Sequence, residues 1–445
     1  MKKTIACIML ITLTIAFNFA CTPGSAGTNT PSPVVTDEPT ALPPTEAPTP
    51  FEYVFDRETD FDNRFATIGT NIAELDDMIV WYEPTSERFM MYYDKAADEY
   101  GVLCAKPECI HDGIRDNPNC IGYITGLSKI PSLSYYMGKL YWKEYYHAEG
   151  SNSFSALFRM DPDSSNMERV FSIETPEGYA PQEMLIHRGR LYMRCVQNRV
   201  VNGVPSNTVA VISTPIDRND FRIDCEEVTN DPADTWSNFM SFIGDSVYLC
   251  VGYKQEDGPQ VTKVFRIKCE TGESEEILSE TAINEHLADF WIEPDGTMYF
   301  SPIGNEADAK LWRYADGKLE PFAELGDADG RFQSQSLCNG IICGTDKAAN
   351  GISFEVWLRD FNRETLYKGP LTRHFIDGTQ FENEKAYFIC ITGGRDSLLV
   401  CYSIRIPGAP LQGTDEQRWV SYLVRYSLTE NGLEEKLLIA CDKVY

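Results

Sequence analysis

One short pattern recurs through most of the chain: a turn built on Gly, Asp or Asn is followed by an apolar strand, often with an aromatic residue near its start. The copies read DDMIVW (76–81), MGKLYW (137–142), RGRLYM (188–193), GDSVYL (244–249), DGTMYF (295–300), NGIICG (339–344) and NEKAYF (383–388). Their equivalent positions, 43 to 61 residues apart, are Val80, Tyr141, Tyr192, Tyr248, Tyr299, Ile342 and Tyr387. Such regular spacing indicates a repeat architecture.

A second strand, rich in aromatics and often bearing arginine, follows each copy, as in ALFRMDPDSS at 156–165 and KVFRIKCETGE at 263–273. Apolar and polar residues that alternate between Gly, Asp and Asn turns predict half-buried strands joined as hairpins. Units of this size are too small for a core of their own and are typical of β-propeller blades, which pack around a common axis. We predict an all-β chain folded as a seven-bladed β-propeller, with six and eight blades as the alternatives. Residues 51–65 are expected to add a closing strand to the last blade.

The N-terminus predicts export. Two lysines precede a 17-residue apolar stretch, Thr4 to Ala20, which is short for a spanning helix and suits a signal peptide. The stretch ends Phe19-Ala20-Cys21, which resembles a bacterial lipobox, in which the cysteine receives a diacylglyceryl group and becomes the new N-terminus. Cleavage after Ala26 and an uncleaved anchor are the alternatives.

Residues 22–50 contain eight prolines and seven threonines and almost no large apolar side chains. Such a segment cannot bury enough surface to fold and acts as a semi-rigid spacer. The domain prediction is therefore a signal peptide over 1–21, a disordered Thr/Pro linker over 22–50 and a β-propeller over 51–445. A spacer suits a tethered domain, which supports lipidation at Cys21 and an extracytoplasmic location at the cell membrane.

The balance of charge excludes one class of partner. The chain has 39 basic and 67 acidic residues, a net charge of −28 spread along its length. Such a surface repels phosphate backbones, so we expect no nucleic-acid partner. Recognised nucleophile, metalloprotease, phosphate-loop and calcium-loop motifs are also missing from the sequence. A catalytic residue is therefore not assigned.

One cluster has the character of a ligand set. Cys104, Cys109, His111 and Cys120 follow the spacing C-x4-C-x-H-x8-C within an insertion at 101–122. Three thiolates and an imidazole could form a closed structural zinc site, which would hold the shape of the loop without catalysing a reaction. A disulfide from Cys104 or Cys109 to Cys120 is the competing interpretation, because export permits disulfides. Many of the other cysteines lie in predicted apolar strands and are expected to be small buried hydrophobes.

Four arginines recur at comparable points of the second strand of the pattern: Arg159, Arg266, Arg313 and Arg425. In a propeller they could face the central channel and bind an anion. They could also pair with acidic residues between blades, which the excess of carboxylates favours.

With these features together, the chain resembles a group of uncharacterised lipoproteins of Gram-positive, clostridial-type gut bacteria. They combine a lipidated N-terminus, a low-complexity spacer, an LC-x-KP-x-C-x-H segment, here Leu103 to His111, and a propeller of loosely repeated G-x-LYW hairpins. The resemblance implies a surface-exposed propeller and brings no activity.

We therefore expect a monomeric binding or interaction module for an extracellular peptide, glycan or protein. The alternatives are a carbohydrate-active lyase or hydrolase with carboxylates at the channel mouth, and an accessory subunit of a cell-surface complex. Fold alone does not decide between them.

Overall fold

The computed structural model describes residues 53–66, 71–82, 89–111, 120–124, 133–147, 153–176, 178–201, 204–229, 237–254, 258–283, 286–303, 310–324, 326, 332–346, 354–406 and 419–441. In these ranges the secondary structure is 28 β-strands and two short 3₁₀ turns, Asn63–Phe65 and His374–Ile376. The all-β prediction is confirmed.

The strands form seven four-stranded antiparallel sheets, each built from consecutive strands. Blades 1 to 4 comprise β1 (Ile72–Glu74), β2 (Met78–Tyr82), β3 (Met90–Asp94), β4 (Glu99–Val102); β5 (Ser134–Tyr136), β6 (Lys139–His147), β7 (Ser153–Met160), β8 (Glu168–Ile173); β9 (Ala180–His187), β10 (Arg190–Val201), β11 (Val204–Pro215), β12 (Arg222–Thr229); and β13 (Ser237–Ile243), β14 (Ser246–Lys254), β15 (Gln260–Lys268), β16 (Ser274–Glu280). Blades 5 to 7 comprise β17 (Leu287–Ile292), β18 (Met298–Pro302), β19 (Lys310–Ala315), β20 (Lys318–Glu324); β21 (Phe332–Cys338), β22 (Ile341–Asp346), β23 (Phe354–Asp360), β24 (Thr365–Leu371); and β25 (Ala386–Gly393), β26 (Ser397–Arg405), β27 (Trp419–Thr429), β28 (Gly432–Cys441).

The first strand of each blade lies nearest the axis of the ring. β1 contacts β5, β5 contacts β9, and β13, β17, β21 and β25 contact one another in sequence. This arrangement is a seven-bladed β-propeller, as the repeats predict.

Buried apolar side chains fill the space between neighbouring blades. Trp142 of blade 2 packs in the same cluster as Val80 of blade 1, and Phe300 of blade 5 in the same cluster as Cys250 of blade 4. Each blade thus stabilises its neighbours. The described cysteines of the strands are buried here, which confirms their expected role as small hydrophobes.

The recurring sequence pattern corresponds to the second strand of six blades. In the seventh blade the prediction is wrong, because Tyr387 lies on the first strand, β25, and is 50% exposed. The pairing register identifies the equivalent residue as Leu399 on β26: it lies opposite Arg425, just as Tyr141 lies opposite Arg159.

The ring closes by contact between blades 1 and 7, without a shared sheet. All four strands of blade 7 come from residues 386–441, so residues 53–65, the described part of 51–65, do not form the expected closing strand. Side chains join the two blades instead: Lys436 of β28 lies 3.0 Å from Asp98, and Arg425 lies 3.5 Å from Glu74.

Residues 53–66, the plug segment, lie across one face of the propeller and enter the mouth of its channel. We call this the turn face, because it carries the turns between first and second strands at 75–77, 137–138, 188–189, 244–245, 293–297, 339–340 and 394–396. The Met137 and Arg188 amides donate to the carbonyls of Glu58 and Thr59, which fixes the segment to blades 2 and 3.

Candidate functional site

A buried carboxylate fastens the plug segment to blade 3. Asp60 is 3% exposed and accepts hydrogen bonds from Arg188 Nε at 2.6 Å, the Tyr53 hydroxyl at 2.9 Å and the Asp56 amide at 3.1 Å. Burial would raise the pKa of the Asp60 carboxyl, but these donors together hold it below its usual range. The plug is therefore held by an ionised group that has no contact with bulk water.

His187 is the second fastening. The Phe61 amide donates to His187 Nδ1 at 3.0 Å, so the ring proton is on Nε2, which donates to the Gly244 carbonyl at 2.7 Å. Burial lowers the pKa of His187 to about 4. A neutral imidazole thus joins the plug segment to blades 3 and 4.

Beyond Phe61, the segment closes the channel mouth. The Asn63 side chain pairs with the backbone of Phe242, donating to its carbonyl at 2.7 Å and accepting from its amide at 2.8 Å. The Thr392 hydroxyl of blade 7 donates to the Arg64 carbonyl. A cavity of about 20 Å³ remains behind these residues, room for about one water molecule.

The plug covers the turn face unevenly and leaves a cleft of about 380 Å³ beside blades 5 and 6. This volume falls within the range of small-molecule sites, roughly 300–1,000 Å³. One wall is the plug segment, with Tyr53, Phe55 and Arg57, and the other carries Trp291 and Glu293 of blade 5. Asn339 of blade 6 and Ile243 of blade 4 also line the cleft.

Three alternate residues of blade 5, 289, 291 and 293, run from the channel into the cleft. The Trp291 indole N–H donates to Glu293 Oε1 at 2.8 Å, and burial raises the pKa of the Glu293 carboxyl. Asp289 lies deeper, where burial raises its pKa to about 7 although the Leu337 and Phe290 amides donate to it. Asp289 thereby links blades 5 and 6.

The predicted Cys/His cluster is assembled in the structure. The ligand atoms of Cys104, Cys109, His111 and Cys120 all lie within 4.8 Å of one another, with Cys120 Sγ 3.5 Å from His111 Nδ1. The group could hold a metal ion. The Cys104, Cys109 and Cys120 thiols are not joined by a disulfide.

The surroundings of the cluster set its shape. The Ala105 amide donates to Ser164 Oγ of blade 2 at 2.6 Å, and a Cβ at Gly122 would lie 2.7 Å from the Leu103 carbonyl oxygen, so only glycine fits there. Burial raises the pKa of the Cys120 thiol to about 12, and the neighbouring Cys104 and Cys109 thiols add to the effect.

The four predicted arginines do not meet. Arg159 and Arg313 pair at 2.6 Å with Glu168 and Glu320 of the next strand of their own blades, and Arg266 pairs with Glu275 in the same way. Arg425 reaches across the junction of blades 7 and 1 to Glu74.

The sequence predictions above miss several residues. The register places a fifth arginine, Arg359, opposite Ile342, and it is 4% exposed over the Trp357 ring. The strand pattern of blade 6 could have revealed Arg359. Asp60 lies in the plug segment, His187 ends β9 and Glu293 follows β17, so no local pattern joins these three residues. Cys21 lies outside the described residues.

Comparison with known proteins finds only distant structural similarity. No protein-family model matches the chain, and neither does any curated protein sequence. Among solved structures, the Pyrococcus horikoshii acylaminoacyl peptidase is 12% identical at a TM-score of 0.43 over 86% of this chain, which spans about half of the peptidase, 54%. The β-propeller domain of the Pyrococcus furiosus trilobed protease is 11% identical at a TM-score of 0.43, covering 88% of this chain and 98% of that one.

Within the described part of the chain, no helix has the length and apolar character needed to cross a bilayer.

Proposed function

We propose that this chain is a lipid-anchored, extracytoplasmic binding protein whose ligand site is the cleft on the turn face. The observation that carries the proposal is the cleft itself, which the plug segment leaves open between Phe55 on one side and Glu293 on the other. A concave site with aromatic walls and a few convergent polar groups is the usual form of a ligand site. The oligosaccharide titration set out in the next subsection, run beside a peptide screen, tests whether this cleft binds ligand.

The anchor rests on the lipobox-like end of the signal peptide and the Thr/Pro spacer that follows it. Cys21→Ala removes the only thiol at the predicted cleavage site, so we expect the protein to leave the membrane and appear in the medium. Labelling with an alkyne fatty-acid analogue, followed by fractionation of cells and medium, measures this. Cys7→Ala is the matched control, because Cys7 lies in the apolar core of the signal peptide, and it should keep both label and membrane location.

Two results would contradict the anchor. A Cys21→Ala protein that stays with the membrane would indicate an uncleaved anchor. Wild-type protein that is unlabelled and found in the medium would indicate cleavage after Ala26.

The Cys/His cluster is proposed as a structural zinc site. Tetrahedral zinc with Zn–S near 2.3 Å and Zn–N near 2.1 Å places its ligands roughly 3.5 Å apart, and the four ligand atoms here lie within 4.8 Å of one another. A disulfide would engage only two of them. The zinc would tie residues 104–111 to Cys120 and so stabilise the loop between blades 1 and 2.

Metal analysis of the purified full-length protein should therefore find one zinc per chain. Cys120→Ala should lose the zinc and lower the thermal unfolding midpoint by several degrees, since a structural metal contributes directly to folding. Cys343→Ala, a buried cysteine of blade 6 outside the cluster, should keep it. Zinc-free protein with Cys120 in a disulfide would overturn the proposal.

A carbohydrate-active enzyme is the second candidate. It is favoured by two carboxyl groups with raised pKa, Asp289 and Glu293, on either side of Trp291 at the channel mouth. Asp289 is, however, committed to two backbone amides, which suits a structural role. Product release from neutral oligosaccharides by the wild-type protein, lost in Glu293→Gln, would establish the enzyme.

A further inference from the structure

We propose that the cleft on the turn face binds a neutral oligosaccharide. This inference rests on the proposed function, which places ligand binding in the same cleft. It adds the chemical class of the ligand.

Aromatic surface is the first argument. Phe55 stands at the rim of the cleft with 42% of its surface exposed, and Tyr53 and Trp291 continue the aromatic lining inward. Burying such rings against an apolar ligand face stabilises a complex. The C–H face of a pyranose ring is a flat apolar surface of matching size.

Hydrogen-bonding capacity is the second argument for a sugar ligand. Glu293 Oε1 accepts from Trp291, while Glu293 Oε2 makes no hydrogen bond to any described residue. The Asn339 amide, exposed on the neighbouring turn of blade 6, likewise makes none among the described residues. A carboxylate oxygen accepts and an amide both donates and accepts, which suits adjacent sugar hydroxyls that do both.

Charge argues against an anionic ligand. Arg57 is paired with Asp76, and Arg64 is held by Asp62 at 2.5 Å and by Glu74 at 3.1 Å. Both guanidinium groups of the cleft already face carboxylates, which would repel an incoming anion. The chain as a whole carries −28.

Backbone geometry argues against a peptide added as a strand. In the blade 5 turn, the Glu293 amide donates to the Thr297 carbonyl at 2.8 Å and the Gly296 amide to the Glu293 carbonyl at 2.9 Å. The Thr297 amide donates to Asp295 Oδ1 at 2.8 Å. This wall offers side chains, not a free strand edge, so recognition of an extended main chain is disfavoured.

The test is calorimetric titration of the full-length protein with neutral hexasaccharides of glucose, mannose, galactose and xylose, and with an anionic hexagalacturonide. A decapeptide display library is screened in parallel. We expect at least one neutral hexasaccharide to bind, and Phe55→Ala to weaken it about tenfold. Tyr100→Ala is the matched control, because Tyr100 is 44% exposed on β4 of blade 1, and it should bind as the wild type does.

A second variant keeps the result independent of the Phe55 ring. Glu293→Gln retains an oxygen for the Trp291 N–H and should weaken binding about fivefold without changing the thermal midpoint. Equal affinity in Phe55→Ala and Tyr100→Ala would overturn the site, and binding of the galacturonide alone would overturn the ligand class. Peptides that bind in a Phe55-dependent way, with no sugar bound, would overturn the inference and leave the proposed function standing. Absence of both kinds of binding would overturn both.

Discussion

Asp60→Ala is expected to lower the free energy of unfolding by about 2–4 kcal/mol, because it removes a buried carboxylate that three donors share. The Arg188 guanidinium, the Tyr53 hydroxyl and the Asp56 amide would each lose a partner at 2.6 to 3.1 Å. Since Arg188 is partly exposed, water can replace part of its hydrogen bond to Asp60. We therefore expect a loss of stability at the lower end of the range for a broken buried ion pair. Chemical denaturation of the full-length protein measures the change.

Asp76→Ala is the matched control for this prediction. It also removes an Asp–Arg pair of the plug segment, but Asp76 is 95% exposed and pairs with Arg57 at the surface. We expect a loss of at most about 0.5 kcal/mol. Equal losses in the two variants would show that burial of Asp60 contributes nothing.

Acid should destabilise the protein between pH 6.5 and 4 through His187. The folded protein holds this imidazole neutral, with a pKa of about 4, whereas the unfolded chain takes up a proton near pH 6.5. The stabilisation is therefore complete above pH 6.5 and is lost as the pH falls towards 4, to a total of about 3 kcal/mol. Protonation at Nδ1 would also remove the acceptor of the Phe61 amide.

The test compares the free energy of unfolding of wild type and His187→Gln, measured by denaturation at pH 7 and pH 4.5. Carboxyl groups with raised pKa, such as Glu183 and Asp289, favour the folded state at lower pH and partly mask the effect in the wild type. Between pH 7 and pH 4.5, His187→Gln should lose less free energy of unfolding than the wild type does. His374→Gln should not show this smaller loss, because the hydrogen bond with Asp377 raises the pKa of the exposed His374 and gives its contribution the opposite sign. Parallel pH profiles of wild type and His187→Gln would refute the prediction.

Local patterns sufficed for the fold but not for every repeat. The turn and the apolar strand recur in six second strands, four of them with tyrosine at the equivalent position, because each packs between neighbouring blades in the same way. NEKAYF around Tyr387 repeats the same local pattern in a first strand, while the second strand of blade 7 has Leu399 where most copies have tyrosine. Only the pairing register separates them.

The candidate sites differ in how far apart their residues lie in the sequence. Four ligand residues between Cys104 and Cys120 are close in sequence, so the Cys/His cluster could be predicted from spacing. Asp60 meets Arg188 across 128 residues, and the cleft joins turns of different blades to the plug segment. Contacts of this kind depend on the closed ring and leave no trace in local sequence.

The plug segment has a mechanical consequence for a ring that closes without a shared sheet. Arg64 pairs with Glu74 of blade 1, and its carbonyl accepts from Thr392 of blade 7, so the segment clasps both sides of the junction. A force applied to the chain ahead of residue 53 reaches Asp60 and Asn63 before it reaches β1. These contacts would bear the load first, and the ring would be shielded from being pulled open from β1.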